Sequence, residues 1–570
     1  MSRDTENLQR LAAELPVIDT ARKHLPMLTQ QAFDALVKAN DPPRFFQRGG
    51  VLVELDRDGT HLKFREITID RLTGIMARVA DWRKISENGY SHVFPLPQVM
   101  RDMLALSDPP PPRINFISTV PILTSTGEIL SEHGYHANHS AYLDLAMKIP
   151  FLPSTPSLTE VERAKGLLLE LVEDFPFESD ADRAHALAAL LLPFVRPAIK
   201  GPTPLHVFDA PTAGNGKTLL AEVSQIPAHG DAFKIDTLPH DEEELRKKIT
   251  SYLVEGRGVI APDNVNGVVD SRKLGAALTS GTWTDRLLGS TRMVEAPNTA
   301  VWIMTGNNIR MSGEITRRTI RSRLDALVEH PEDRAGFRHP RLKAWALERR
   351  GDLIHAALTL VRHWQAQGCP KPQKTLGSFE AWSEIVGGIL EAAEIPGFLG
   401  DRKKLREELD SENSILRSFV SAWFEQFGRR AVKTSDLYPL AKEIDGFPLG
   451  GGNEQGQKNA LGKKLREIRN RIIAGNQIAV SGAGHGGALL YFLADPETRP
   501  PFPPSPPEQD RATRFDGGQH GGHVVGTDLC PPNSTTCPPR PTGSGSSFGD
   551  DGGQGGHETQ PADIFFEEVD

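Results

Sequence analysis

Apolar and polar positions divide the chain into segments of three kinds. Short apolar runs at 205–208, 258–261 and 299–304, bounded by small and turn-forming residues, predict strands buried on both faces of a sheet. Stretches with apolar positions every three or four residues, at 159–174, 180–195, 340–367 and 378–394, predict helices. Near the N-terminus, 50–55 and 62–67 flank Asp58-Gly59, which predicts a β-hairpin. Toward the C-terminus, Gly450-Gly451-Gly452 precedes a helix predicted over 457–473, with Leu461, Leu465, Ile468 and Ile472 on one stripe. Two strands, 478–480 and 489–493, follow it. From Pro496 onward proline, glycine and polar residues dominate, a composition that predicts a disordered tail.

Strands alternating with helices give an α/β class. A chain of 570 residues is too long for one core, and the pattern predicts an α/β N-terminal domain over 1–150, a nucleotide-binding core with a helical lead-in over 151–335, a helical lid or packing region over 336–414, a DNA-binding type of small domain over 415–495 and the tail over 496–570. Charged residues at 24% and hydrophobic ones at 38% are those of a soluble globular protein. No stretch is long enough to span a bilayer and no signal-peptide core follows Met1, so the expectation is a cytoplasmic protein without a membrane partner. Cys369, Cys530 and Cys537 have neither the number nor the spacing of a metal site. The net charge of −9 argues against a nucleic-acid partner only until its distribution is considered. Acid collects in the tail, while basic residues concentrate at 286–323 and 458–471.

The strand at 205–208 runs into Pro211-Thr212-Ala213-Gly214-Asn215-Gly216-Lys217-Thr218-Leu219. Backbone N–H groups of such a turn, reinforced by a helix N-terminus, favour an anion. Lys217 is then placed to reach the β- and γ-phosphates of ATP, and the Thr218 hydroxyl to ligate Mg²⁺. Pro211 stands where G-x-x-x-x-G-K-[ST] has its first glycine; it fixes φ and removes one donor, while Gly214 and Gly216 remain. The strand at 258–261 leads to Asp263, the candidate second metal ligand. The next position usually carries a second acid. Here it is Asn264, which can orient a water but cannot take its proton. The third strand leads to Asn307, whose amide suits the γ-phosphate or the lytic water. Arg317 and Arg318, in Thr316-Arg317-Arg318-Thr319, suit charge stabilisation, supplied by a neighbouring subunit.

Loop lysine, strand-end aspartate, strand-end asparagine and arginine pair, in that order, resemble the helicase module of phage- and plasmid-type primase-helicases, the superfamily 3 branch of AAA+ ATPases. The run 278–290, with Trp283, Asp285 and Arg286, is similar to the extra motif of that branch, which builds a loop facing a central channel. The resemblance covers residues 200–330 and implies a P-loop AAA+ fold, a homo-hexameric ring and single-stranded or forked DNA as partner. It places Trp283, Arg286 and Arg292 against that DNA; an aromatic face stacks on any base and arginines follow phosphates. Whether Trp283 is platform or core stays open at this point. Helix, helix, basic helix and glycine-tipped hairpin at 415–495 resemble a winged helix, with Lys463, Lys464, Arg466 and Arg469 on the open face of the recognition helix. The acidic-aromatic tip, Ile564-Phe565-Phe566-Glu567, is similar to segments that recruit replication partners.

The expectation is an ATP-dependent DNA helicase or translocase of a phage or mobile element, acting in replication. Two alternatives stand beside it. One is the same ATPase acting on a protein partner or in signalling or defence; the other is a nucleotide-bound DNA-binding scaffold that does not hydrolyse, motivated by Pro211 and Asn264.

Overall fold

The computed structural model describes residues 15–496 except 59–60, 146, 148, 233–234, 287–292, 410 and 484–488. The tail, with its acidic-aromatic tip, Cys530 and Cys537, and also Arg292, lie outside the described residues.

A wholly parallel sheet of four strands organises the centre of this mixed α/β chain. Its order is Val259–Ile260, Val301–Asn307, Leu205–Ala210 and Thr319–Arg323. The strand ending near Asp263 therefore does not touch the strand entering the glycine loop; the strand carrying Asn307 lies between them. Every residue of Leu205–Ala210 is buried, which is why the segment reads as an apolar run without alternation. Alternation reappears in where the side chains go. Leu205 and Val207 join one core with Trp302 and Met304, whereas Phe208 and Ala210 join a second core with Val301 and Ile303, as period two requires.

The second core is filled by helices Asp180–Val195, Lys217–His229 and Arg350–Ala366 and includes Trp364 and Trp382. The first holds helices Glu242–Glu255 and Arg272–Thr279 and the hairpin Thr282–Arg286 with Met293–Pro297. Four helix starts around this sheet are capped by side chains: Ser157 in a capping box with Glu160, then Ser179, Asp241 and Ser271. Helix Lys217–His229 differs. It opens on Gly216 in the left-handed region, and no side chain caps it, so its first N–H groups are left for a partner from elsewhere.

The N-terminal hairpin forms as Val51–Asp58 with His61–Glu66. Its neighbour strand Phe45–Arg48 carries a buried arginine, Arg48, which donates to the carbonyls of Leu253 and Val254 at the end of helix Glu242–Glu255. Among the described residues no group of three or more His, Cys, Asp and Glu side chains could hold a metal, and no helix is long and apolar enough to cross a membrane.

The last described region contains helices Ser411–Phe427, Thr434–Glu443 and Glu454–Glu467 and a sheet of four strands that includes Asn476–Ala483 and Leu489–Ala494. The helix predicted over 457–473 stops at Glu467. Asn470 takes a positive φ, and Ile472–Ile473 pairs back on Asn476 and Gln477 through Ala474 and Gly475, both with positive φ, the geometry of a tight two-residue turn. Leu461, Leu465 and Ile468 are buried as the stripe requires, but Ile472 is a strand residue left 62% exposed.

Candidate functional site

Sheet register brings one edge together. Ala210 pairs with Asn307 and Asp209 with Arg323, so the carboxyl ends of three strands surround the glycine loop, the place where open parallel sheets hold ligands. Gly214 and Gly216 both have positive φ. A Cβ on Gly216 would press on Phe175 at 3.2 Å, and one on Gly214 would meet Glu332 at 2.7 Å; only glycine fits either position. Asn215 is buried, donates to the Thr212 hydroxyl at 3.0 Å and accepts from the backbone N of Ala326 at 3.0 Å.

Lys217 is buried and its ammonium donates to the Thr212 carbonyl at 3.2 Å. Burial lowers its pKa, opposed by Asp209 and Asp263. Among the described residues it has a carbonyl partner but no carboxylate in direct contact, so the loop retains a cation that an anion would satisfy.

The Thr218 hydroxyl donates to Asp263 Oδ1 at 2.8 Å. A hydroxyl and a carboxylate oxygen side by side are hard oxygen donors of the kind that would hold Mg²⁺. This pair fits Mg²⁺, an ion that takes one or two protein oxygens and completes its shell with phosphate and water. Thr305, which the sequence reading passed over, donates to the same Asp263 oxygen and accepts from the backbone N of Asn264 at 3.0 Å. Asn264 itself is exposed and in the left-handed region. The Asn307 Oδ1 is buried without a hydrogen-bond partner, an acceptor that a water or hydroxyl at this edge would satisfy. Pro211 contributes its carbonyl, which accepts from Asn308 Nδ2 at 3.2 Å. Thr212 and Ala213 are exposed. Leu219 lies beside the loop in a cleft of about 490 Å³ walled by Phe175, Gly216, Phe337 and Leu342.

The two arginines are not at this edge. The Arg318 carbonyl accepts from the N of Leu205, which sets the pair at the start of strand Thr319–Arg323, about 20 Å from the loop at about 3.3 Å per residue. Arg317 is exposed, its Nη2 3.9 Å from Glu314. Arg318 is buried, donates to the Glu314 carbonyl at 2.6 Å and pairs with the Glu314 carboxylate at 3.0 Å; burial lowers its pKa. Of the two expected arginines, Arg318 is thus engaged within its own chain while Arg317 is exposed.

Trp283 is likewise not a stacking platform. It is 8% exposed, packs in the core of helix Glu242–Glu255, and its indole N–H donates to the Thr250 hydroxyl at 2.9 Å; it fixes the hairpin to that helix. Arg286 is exposed at the last described position of its strand. In the C-terminal region Lys463, Arg466 and Arg469 are exposed, whereas Lys464 is partly covered and paired with Glu467 at 3.0 Å; Arg469 lies beyond the helix end.

No protein-family model matches the chain, and no curated protein matches it. Among solved structures it is similar to the active helicase Cch of SCCmec type IV, at 14% identity and a TM-score of 0.31 over 79% of this chain and 91% of that one. It is also similar to two structures of JCV helicase, at 16% and 14% identity and TM-scores of 0.20 and 0.17, over 41% and 46% of this chain and 67% and 72% of theirs. Likeness of this degree assigns no activity.

Proposed function

We propose that the protein is an ATP-dependent DNA helicase or translocase of a phage or mobile element, acting in replication as a homo-hexameric ring built on a P-loop AAA+ core of superfamily 3 type. One observation carries the reading: Lys217, Thr218, Asp263 and Asn307, spread over ninety-odd residues of sequence, meet at the carboxyl edge of one parallel sheet.

The uncapped N–H groups at the start of helix Lys217–His229, with the Lys217 ammonium, bind the triphosphate. Thr218 and Asp263 hold Mg²⁺, which when bound neutralises charge on the terminal phosphates. Thr305 keeps the Asp263 carboxylate turned toward Thr218. Asn307 orients the attacking water through its unpaired Oδ1. Asn264 can orient that water but cannot accept its proton, so turnover is slow or another group takes the proton. The cleft beside Leu219, with Phe175 and Phe337, receives the nucleoside. Arg317 completes the site of the adjoining subunit, since in its own chain it lies at the wrong end of the sheet. Arg286 contacts the DNA backbone from the hairpin, and the region 415–495 acts as a winged helix through Lys463, Arg466 and Arg469.

Phosphate release by the purified chain, with and without single-stranded DNA, tests this reading together with strand displacement on a forked duplex. Stimulation by DNA and ATP-dependent displacement are expected. The burial of Trp283 favours a second reading, in which the same ATPase acts on a protein partner. Hydrolysis that DNA leaves unchanged would select it.

A further inference from the structure

Arg323 closes the strand Thr319–Arg323 directly beside the glycine loop, and no role in the proposed reaction has yet fallen to it. All three of its guanidinium nitrogens are engaged. Nη1 donates to Asp209 Oδ2, Nη2 donates to Asn308 Oδ1 at 3.0 Å, and Nε lies 3.3 Å from Glu178 Oε2. Its backbone is held as well: the N donates to Asp182 Oδ1 at 2.6 Å and the carbonyl accepts from the N of Glu178 at 3.1 Å. The residue is anchored on every side.

Its partners lead to the loop. Asn308 sits in the left-handed region, donates its backbone N to the Ala210 carbonyl at 2.9 Å and its amide to the Pro211 carbonyl at 3.2 Å. Asp209 accepts from the N of Ile309 at 3.1 Å, so the two residues that follow Asn307 are tied to the arginine, Asn308 directly and Ile309 through Asp209. Without that tie the turn keeps the Asn308–Pro211 bond but loses the anchor on Asn308 Oδ1 and the partner that holds the Asp209 carboxylate, and Asn307 would be held less firmly opposite Lys217.

We infer that Arg323 is a positioning residue, which through Asn308 and Asp209 fixes the Asn307 amide and the first residue of the glycine loop relative to each other. The inference rests on the ATPase reading for its kinetic consequence but not for the relay itself. All of the Arg323 contacts are to protein groups, and it acts through them. A lysine would keep a positive charge beside Asp209, yet a single ammonium cannot bridge Asp209 and Asn308 as the planar fork does.

The test is a double-mutant cycle of Arg323→Lys and Asn308→Gly, glycine being chosen because the position has a positive φ. Two readouts are taken on the full chain: steady-state ATP hydrolysis, and hydrogen exchange of peptides spanning 207–216 and 305–311. Each single variant should lower kcat about 10- to 100-fold with KM for ATP within about threefold, and speed exchange in those two peptides while leaving 452–470 unchanged. The double variant should be no slower than the slower single one, as for residues acting in series. Multiplicative losses, a kcat within twofold of the parent, or unchanged exchange at 207–216 and 305–311 would overturn the relay. If the parent chain releases no phosphate, the ATPase reading fails by itself, and the exchange measurement still decides for or against Arg323.

Discussion

The Thr218 hydroxyl and the Asp263 carboxylate lie 2.8 Å apart, joining the first turn of the loop helix to the turn that follows strand Val259–Ile260. Strand Leu205–Ala210, which enters the loop, and strand Val259–Ile260 are not neighbours. The contact therefore exists only because both strand ends project past the same sheet edge, and it gives the metal-binding proposal its geometry.

Lys217→Ala should remove the cation that faces the phosphates. ATP hydrolysis is expected to fall at least about 100-fold, with weaker nucleotide binding and an unchanged melting temperature in the absence of nucleotide. Phosphate-release assays and titration with a fluorescent nucleotide check both.

Asp263→Asn and Thr305→Val should each raise the Mg²⁺ concentration needed for half-maximal hydrolysis. The first removes a ligand charge; the second removes the donor that orients it, where losses of about 10- to 100-fold in metal affinity are typical. Chelation of Mg²⁺ should abolish phosphate release by the parent. A Mg²⁺ titration of activity is the measurement.

Arg317→Ala should spare nucleotide binding and lower turnover, and mixing it with Lys217→Ala subunits should restore activity if the arginine acts across an interface. Arg318→Ala should behave differently. It empties a buried position tied to Glu314, so a loss of about 1–3 kcal/mol in stability is expected, read by urea unfolding.

Trp283→Ala should cost about 3–5 kcal/mol of stability without changing the DNA affinity of the folded fraction, because the ring is core. Arg286→Ala should do the reverse, weakening single-stranded DNA binding and reducing the salt slope by about one contact. Anisotropy titrations at several salt concentrations separate the two.

His206 supplies a pH dependence. It is fully buried in strand Leu205–Ala210, edge-on to Trp382, with both ring nitrogens unpartnered, and burial lowers its pKa to about 3. The unfolded chain takes up that proton near pH 6.5. Between these values the unfolded state binds more protons, so stability rises with pH and is lost as the pH falls below about 6.5, by up to about 1.4 kcal/mol per unit. His206→Leu should flatten this slope, as thermal melts from pH 7.5 to 5.5 would show by difference from the parent.

Local sequence was enough for some of this. The apolar runs and the glycines at 214 and 216 act within a few residues of themselves, so these strands and the loop are legible one at a time. The end of the helix at Glu467 was not, because nothing in its apolar stripe announces that Ala474 and Gly475 turn Ile472–Ile473 back as a strand.

The chain's sequence by itself determined three of the four strands of the central sheet and where the glycine loop stands; the fourth, Thr319–Arg323, it did not mark. Tertiary structure alone decided the rest: that the Asn307 strand lies between those leading to Lys217 and Asp263, that Trp283 is covered, that Arg318 is held at home while Arg317 is open, and that Thr305 and Arg323 belong to the site. The physical reason is that a parallel sheet chooses its strand order through long crossovers. Whether a given side chain is buried or presented then depends on which distant element packs over it.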